Sequence, residues 1–241
     1  MCDKCGCEQE HEGNHEHHDV VGSKIIDVNK SVTEANDELA QQIGNFLKDK
    51  GILSINLMGA PGSGKTTFIE QLVEFIPAEE IAVIQGDLES DIDKKRLEKK
   101  NIHTFQINTH SGCHLNAMMV NKALMHMQPS GKKYLIIENV GNLVCPAAVQ
   151  IGQHIDIVVS STTEGTDKPK KYPVIFMNTK MIVLSKYDLK EAVGFEETKY
   201  LEDLKNINAE AKIVKVSSKD PESFKDAAEF IRDERERLFK V

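Results

Sequence analysis

Residues 59–67 constrain the fold of this chain more than any other stretch, because they read Gly-Ala-Pro-Gly-Ser-Gly-Lys-Thr-Thr. They match the phosphate-binding loop pattern of a glycine, four variable residues and Gly-Lys-Thr. Residues 54–58, before the loop, have the pattern of a short strand. After the loop, apolar residues recur at helical spacing up to Ile76. Strand, loop and helix in this order form the context that the motif requires. The sequence therefore predicts a site for the phosphates of a nucleoside triphosphate.

The residue types of this loop explain its expected chemistry. Glycines allow successive backbone N–H groups to face a polyphosphate, and the start of the following helix adds its positive dipole end. Lys65 is expected to reach the β- and γ-phosphates, and the Thr66 hydroxyl is expected to be a ligand of Mg²⁺. The predicted nucleotide-binding residues of the loop are Gly59, Gly62, Ser63, Gly64, Lys65, Thr66 and Thr67.

Length and charge restrict the remaining possibilities. The chain has 241 residues, of which 40% are hydrophobic, and this is enough for one α/β domain with a sizeable core. Its net charge of −8 and the lack of a basic cluster argue against a nucleic-acid-binding surface. Because the sequence shows neither a transmembrane stretch nor the apolar core of a signal peptide, we expect a cytoplasmic protein that does not bind membranes. Its five cysteines are then expected to serve metal or redox chemistry rather than disulfides.

The first 22 residues are polar and acidic, and we interpret them as a flexible metal-binding tail. Cys2, Cys5 and Cys7 form a Cys-x-x-Cys-Gly-Cys cluster, and thiolates suit late first-row metals such as Ni²⁺ and Zn²⁺. Four histidines follow, which either add imidazole ligands or belong to a solvated tail or a tag remnant: His11, His15, His17 and His18.

Residues 23–241 are predicted to form one P-loop NTPase domain. Ser31 and Glu34 make a capping-box pattern, and the helix that they begin is expected to end at Gly51. Strands and helices alternate afterwards, which predicts an α/β fold with a mostly parallel sheet and helices on both faces. Strands are predicted at residues 54–58, 81–85, 102–107, 134–137, 155–160, 181–185 and 212–216. A charged segment at residues 88–100 precedes helices predicted at 114–127, 196–206 and 221–239.

Acidic residues follow two of these strands, at the edge where a parallel sheet binds its ligands. Asp87 and Glu138 are predicted to hold Mg²⁺ or one of its waters, and Asp93 to contact the metal or the attacking water. Asp87 and Asp93 could also be helix-capping or solvent-facing acids. The Gly141 N–H is expected to face the γ-phosphate in a segment that rearranges on hydrolysis. The predicted catalytic set is Lys65, Thr66, Asp87, Asp93 and Glu138.

The base is predicted to bind at residues 185–188, which read Ser-Lys-Tyr-Asp after a predicted strand. GTP-binding proteins commonly have Asn-Lys-x-Asp at this place, where the Asp accepts two guanine N–H groups and the Lys stem covers the base. Lys186 and Asp188 are expected to take these roles, and Ser185 replaces the Asn. Ser217 and Ser218 follow the last strand and are expected to close over the guanine O6 with backbone N–H groups. A plain surface Lys-Tyr-Asp is the alternative interpretation.

Two further cysteines suggest a second metal site. Cys113 precedes His114 at the start of a predicted helix, where the helix dipole favours the thiolate. Cys145 follows Gly141 by four residues, immediately after the predicted switch segment. Single buried cysteines are common, so each could instead be a packing residue. We favour a metal site because the chain also has a metal-binding tail and a nucleotide switch.

Together these motifs resemble the HypB family, the GTPase accessory proteins for nickel insertion into [NiFe]-hydrogenase. The resemblance covers residues 25–240, and its most specific part is residues 138–146, Glu-Asn-Val-Gly-Asn-Leu-Val-Cys-Pro. The Cys-x-x-Cys-Gly-Cys cluster is similar to a nickel motif of some members. The chain departs from the family pattern at Ser185, and at Met118 and Lys122, where some relatives have histidines.

The resemblance implies a homodimer that forms with GTP and holds metal at Cys113, His114 and Cys145 in its interface. It also implies partners among the other hydrogenase-maturation proteins and the hydrogenase large subunit. We therefore expect slow GTP hydrolysis that supports nickel insertion. Two alternatives stay open, an ATP-dependent kinase or ligase on the same scaffold, and a nickel or zinc store whose nucleotide site only stabilises the fold.

Overall fold

A computed structural model describes residues 31–87, 92–110 and 112–240 of the chain. The predicted tail, its boundary at residue 22 and the ligands Cys2, Cys5 and Cys7 lie outside the described residues. The described residues contain seven strands, which pair in parallel in one sheet. They are β1 Leu53–Met58, β2 Ile81–Asp87, β3 His103–Asn108, β4 Tyr134–Glu138, β5 Ile155–Ser161, β6 Met181–Ser185 and β7 Lys212–Lys215. Their order across the sheet is β3-β2-β4-β1-β5-β6-β7.

Helices connect these strands. The α-helices are α1 Val32–Asp49, α2 Lys65–Leu72, α3 Ile92–Lys99, α4 Ala117–Met127, α5 Lys168–Lys171, α6 Pro173–Met177, α7 Glu197–Ile207 and α8 Lys225–Phe239. Short 3₁₀ helices lie at Ala78–Glu80, Cys145–Ala148, Thr162–Glu164, Tyr187–Leu189 and Pro221–Phe224. Within the described residues, no helix is both long enough and apolar enough to cross a membrane.

The core lies on both faces of the sheet. On one face, strand residues such as Ile55 and Val83 pack against α2, α3 and α8. On the other face, Ile84 packs against α1 and α4, and Ile182 belongs to a cluster that includes α6 and α7. Because helices cover both faces, β1 is buried at every position. The predicted fold, an α/β P-loop NTPase domain with helices on both faces of a parallel sheet, is confirmed.

Local signals at the start of helices determine where two of them begin. The Ser31 hydroxyl accepts from the Glu34 N–H, and the Glu34 carboxylate accepts from the Ser31 N–H, so the predicted capping box is present. The helix predicted to begin at His114 instead begins at Ala117, because the Asn116 side chain accepts from the Met119 N–H and caps it there. Cys113 and His114 therefore lie in the preceding loop, and the prediction that the helix dipole acts on Cys113 at the helix start is wrong.

Candidate nucleotide and metal site

The phosphate-binding loop joins β1 to α2 and contains a position where only glycine fits. Gly59 has a φ of +152°, and a Cβ atom there would lie 2.3 Å from the carbonyl oxygen of Val159. Gly64 has a φ of +101° and immediately precedes α2, which begins at Lys65. The loop therefore turns directly from the carboxyl end of a central strand into the N-terminus of a helix, as its sequence predicts.

Lys65 is a buried cation at the end of this loop, where α2 begins. Its side chain is 7% exposed, and its Nζ donates to the carbonyl oxygens of Gly59 and Ala60, each at 3.2 Å. Burial lowers the pKa of Lys65, and the nearby carboxylates, of which Glu138 contributes most, oppose that shift. A buried ammonium group at the N-terminus of a helix is well placed to meet the negative charge of a phosphate.

Two carboxylates converge on the hydroxyl group of Thr66. Its Oγ1 lies 2.8 Å from Glu138 Oε1 and 3.1 Å from Asp93 Oδ2. One hydroxyl hydrogen cannot serve both acceptors fully, and a divalent cation among these oxygens would neutralise them together. Hydroxyl and carboxylate oxygens are the donors that Mg²⁺ prefers. The residues present therefore fit the predicted Mg²⁺, with Thr66 and Glu138 as its ligands or the ligands of its waters.

Glu138 has a further partner that the sequence did not reveal. Gln85, in β2, donates from Nε2 to Glu138 Oε2 at 2.9 Å, and both side chains are buried. Burial raises the pKa of Glu138, while Lys65, Thr66 and Gln85 oppose that shift. The signal for Gln85 was its polarity within an otherwise apolar strand, two residues before Asp87.

A cleft of about 440 Å³ brings most of the predicted phosphate-site residues together at the carboxyl edge of the sheet. Gly62, Gly64, Lys65, Thr66, Thr67, Asp87, Asp93, Glu138, Gly141 and Lys186 line it. Gln85 and Arg96 also line it, although the sequence did not single them out. Gly59, Ser63, Asp188, Ser217 and Ser218 do not line this cleft. Ser218 lines a smaller cavity next to it, together with Gly64, Thr67, Ser185 and Lys186.

The segment after β4 packs directly on the phosphate-binding loop. A Cβ atom at Gly141 would lie 2.9 Å from the Cα of Pro61, so the two backbones approach closely there. The Asn142 N–H donates to the Gly59 carbonyl oxygen at 3.1 Å. This packing agrees with the expectation that Gly141 faces the terminal phosphate, and its role stays a prediction.

The loop after β6, which is predicted to bind the base, is held by hydrogen bonds to its neighbours. Asp188 Oδ1 accepts from the Ser217 hydroxyl at 2.7 Å, and its Oδ2 lies 3.0 Å from the Nζ of Lys219. Hydrogen bonds from Ser217 and Lys219 lower the pKa of Asp188. Ser185, which replaces the expected Asn, donates from its hydroxyl to the Ser63 carbonyl oxygen at 2.5 Å. Ser185 thus joins the base loop to the phosphate-binding loop.

The three residues predicted to form the second metal site lie close together. Ligand atoms of Cys113, His114 and Cys145 all lie within 4.8 Å of one another, and Cys113 Sγ is 3.4 Å from His114 Nδ1. The hydrogen bond with Cys113 raises the pKa of the Cys145 thiol. Because both residues precede α4, the adjacent Cys113 and His114 can direct their side chains to one point. Two thiols and an imidazole suit Ni²⁺ or Zn²⁺.

Two asparagines connect this cluster to the nucleotide cleft. Asn139 Oδ1 accepts from the Leu115 N–H at 3.0 Å, which ties the Cys113 loop to the end of β4. Asn142 Oδ1 accepts from the N–H groups of Val144, at 2.8 Å, and Cys145, at 3.4 Å. Since the Asn142 N–H donates to the Gly59 carbonyl oxygen, Asn142 contacts both the phosphate-binding loop and Cys145 of the predicted metal site.

Comparisons with known proteins identify the family of this chain. A family profile described as "CobW/HypB/UreG, nucleotide-binding domain" matches residues 53–215. The chain belongs to the CobW/HypB/UreG family. The hydrogenase/urease maturation factor HypB of Helicobacter hepaticus is 38% identical over 224 residues, covering 91% of this chain and 92% of that protein. The probable hydrogenase maturation factor HypB of Methanocaldococcus jannaschii is 40% identical, covering 86% and 94%.

Solved HypB structures share the fold. HypB from Helicobacter pylori in complex with nickel has a TM-score of 0.82 and 36% identity, covering 86% of this chain and 98% of that one. HypB from Archaeoglobus fulgidus has a TM-score of 0.77 and 37% identity, covering 83% and 98%. The resemblance inferred from the motifs is therefore confirmed, and the domain is a nucleotide-binding NTPase domain of the HypB type.

Proposed function

We propose that this protein is a GTP-hydrolysing nickel metallochaperone that supports nickel insertion into [NiFe]-hydrogenase. The names of its HypB relatives refer to hydrogenase maturation, and the Helicobacter pylori structure contains nickel. The observation that carries the proposal is the contact of Asn142 with both Gly59 and Cys145. A metal store with an independent nucleotide site would have no need of such a connection.

Five residues of the cleft have a part in the proposed hydrolysis: Lys65, Thr66, Asp87, Asp93 and Glu138. Lys65 neutralises the charge that develops on the phosphate, and the backbone N–H groups of the loop orient the phosphate chain. Thr66 and Glu138 would hold Mg²⁺, which would supply further charge neutralisation. Asp93 lies next to them and orients the metal or the attacking water. Asp87, at the end of β2, contributes another carboxylate at the edge of the cleft.

The metal cluster holds the cargo ion in this proposal. Three ligands from one chain leave a first-row metal short of a full shell, and a symmetric homodimer would bring a second Cys113, His114 and Cys145 to the same axis. GTP would favour that dimer, and nickel would pass from it to other maturation proteins and the hydrogenase large subunit. The tail cysteines Cys2, Cys5 and Cys7 would form a separate nickel site, and either cluster could also bind zinc.

Specificity for guanine is tested by replacing Asp188 with Asn. An amide cannot accept both guanine N–H groups, so one is left unpaired and GTP binding should weaken by ~1–3 kcal/mol. Xanthosine triphosphate, whose 2-oxo group reverses this pattern, should bind better to the variant than to the parent protein. The measurement is competition of GTP, XTP and ATP for one fluorescent nucleotide.

The matched control is Asp220→Asn, which removes a carboxylate from the neighbouring loop without removing an acceptor for the base. It should leave the order of the three nucleotides unchanged. Equal competition by ATP and GTP in the parent protein would contradict the guanine assignment and favour the ATP-dependent kinase or ligase.

Coupling between metal and nucleotide tests the metallochaperone function itself. In full-length protein with Cys2, Cys5 and Cys7 replaced by serine, nickel is titrated with GDP and with a non-hydrolysable GTP analogue, followed by sizing. We expect affinities that differ by about 5–150-fold and, by linkage, an equal effect of nickel on nucleotide affinity. Replacing Asn142 with Ala should reduce this difference, because the N–H groups of residues 144 and 145 lose their shared acceptor.

Asn208→Ala is the control for loss of an asparagine, since Asn208 likewise accepts from two backbone N–H groups but lies between α7 and β7. It should preserve the coupling. Nickel affinities that are equal with GDP and with the GTP analogue in the parent protein would contradict the proposal and favour a simple metal store.

A further inference from the structure

Arg96, in α3, lies between two carboxylates at the edge of the nucleotide cleft. Its guanidinium binds Glu70 with two parallel hydrogen bonds, from Nε to Oε1 at 3.0 Å and from Nη2 to Oε2 at 2.6 Å. Its Nη1 donates to Asp93 Oδ1 at 2.8 Å, and its Nη2 also reaches Thr67 Oγ1 at 3.2 Å. A guanidinium held in this bidentate way has a fixed orientation, unlike a typical surface ion pair.

The second oxygen of Asp93 points to the other side. Asp93 Oδ2 lies 3.1 Å from Thr66 Oγ1, while Oδ1 binds Arg96. The contacts therefore form an unbroken chain from Glu70 through Arg96 and Asp93 to Thr66. The Asp93 side chain is 39% exposed, and the contacts with Arg96 and Thr66 hold one carboxylate oxygen each.

Helical spacing makes this chain of contacts possible. Thr66 and Glu70 are four residues apart in α2, and Asp93 and Arg96 are three residues apart in α3. Residues at these separations lie on the same face of a helix. Each helix therefore presents two residues on one face. Asp93 of α3 contacts Thr66 of α2, and Arg96 of α3 contacts Glu70 of α2.

We propose that Arg96, oriented by Glu70, is a positioning residue that holds the Asp93 carboxylate beside Thr66 for the divalent cation that accompanies the nucleotide. Glu138 also faces the Thr66 hydroxyl, so Asp93 must stay close to another carboxylate, and the Arg96 charge offsets that repulsion. Removing a group that orients a metal-binding side chain typically lowers metal affinity by about 10–100-fold. The inference rests on the proposed Mg²⁺-dependent nucleotide site and adds Glu70 and Arg96 to it.

A purely structural role for Arg96 in joining α2 to α3 is the competing explanation, and the protein contains a matched control for it. Glu74 and Lys100 form an ion pair four residues further along the same two segments, with 3.0 Å between Nζ and Oε1. That pair does not line the cleft. Its loss should affect the association of the two segments without affecting the orientation of Asp93.

The experiment measures how nucleotide binding depends on Mg²⁺ in the full chain. A fluorescent GDP and a fluorescent non-hydrolysable GTP analogue are titrated with Mg²⁺, and their affinities are also measured in EDTA. In Arg96→Gln and Glu70→Gln, the half-saturating Mg²⁺ concentration should rise by about 10–100-fold, as for other groups that orient metal ligands. Affinity in EDTA should stay within about twofold of the parent value, because the proposed role acts through the cation.

Three comparisons complete the design. Asp93→Asn should raise the half-saturating Mg²⁺ concentration similarly, and adding Arg96→Gln to it should produce little further change, because both act through one carboxylate. Glu74→Gln and Lys100→Gln should leave the Mg²⁺ dependence at the parent value, whatever their thermal denaturation midpoints. If Arg96→Gln fails to fold, the half-saturating Mg²⁺ concentration is measured on Glu70→Gln and Arg96→Lys instead.

A parent-like Mg²⁺ dependence in Arg96→Gln or Glu70→Gln would overturn the proposal and leave a structural ion pair. Weaker binding of Arg96→Gln in EDTA, with its Mg²⁺ dependence unchanged, would overturn it in favour of direct contact with the nucleotide. Because the readout is binding, it is independent of hydrolysis. A parent protein that binds Mg²⁺ and GTP without hydrolysing GTP would contradict the proposed GTPase activity and leave this result intact.

Discussion

Replacing Lys65 with Met or Ala should reduce GTP hydrolysis by at least about 100-fold, since a single well-placed charge or donor at a transition state commonly contributes that much. Lys65 Nζ lies between the Gly59 and Ala60 carbonyl oxygens and among the acidic residues of the cleft. Without it, the developing charge on the phosphate would face Glu138 and Asp93 with less compensation. Lys65→Met keeps the aliphatic stem in its buried position, and should fold.

The measurement is phosphate release under conditions of saturating GTP and Mg²⁺, with circular dichroism and thermal denaturation as checks of the fold. Lys132→Ala is the matched control, because Lys132 Nζ also donates to a backbone carbonyl oxygen, that of Glu79, but lies outside the cleft. Hydrolysis by a folded Lys65 variant at the parent rate would show that the phosphate site is wrongly assigned.

The second large effect is expected at the metal cluster. In protein that lacks Cys2, Cys5 and Cys7, Cys113→Ser and Cys145→Ser should each lower nickel affinity by more than the ~10–100-fold typical of residues that only orient ligands. Serine preserves the shape of cysteine but removes the soft thiolate that a late first-row metal prefers. Nickel stoichiometry and thiolate-to-metal absorption would be followed together.

His126→Ala is the control for this second experiment. His126 is an imidazole of α4 whose ring stacks on Phe105 with centroids 5.8 Å apart, so it has a packing partner outside the cluster. Its replacement should leave nickel binding unchanged, whereas His114→Ala should weaken it. Retention of nickel by both cysteine variants would contradict the assignment of the cluster.

Patterns of neighbouring residues were sufficient for much of the fold. The glycines and lysine of residues 59–67 predicted a strand, a loop and a helix, and the structure contains β1, that loop and α2. Ser31 and Glu34 predicted the start of α1, because a capping box is formed by residues within one turn. The buried strands were found from their apolar runs, since a strand covered on both faces needs apolar residues throughout. These features depend on local sequence and need no knowledge of distant contacts.

Local patterns misplaced the start of one helix and missed two short helices. Apolar periodicity suggested that α4 begins at His114, but the side chain of Asn116 caps the helix at Ala117. The short helices α5 and α6 were missed because they contain only Lys168–Lys171 and Pro173–Met177, fewer residues than a helical period can reveal. The first of these differences matters for function, because it frees Cys113 and His114 to converge.

Contacts between distant residues were decided by tertiary structure alone. The order of the strands places β2 between β3 and β4, so Gln85 of β2 reaches Glu138 of β4, a pairing that no local pattern encodes. The ion pair between Glu70 and Arg96 depends on how α2 packs against α3. The sequence by itself determined the phosphate-binding loop, the parallel α/β fold and the residue types of both sites. Only the tertiary structure decided which side chains orient them, because hydrogen bonds across strands and helices depend on packing rather than on spacing along the chain.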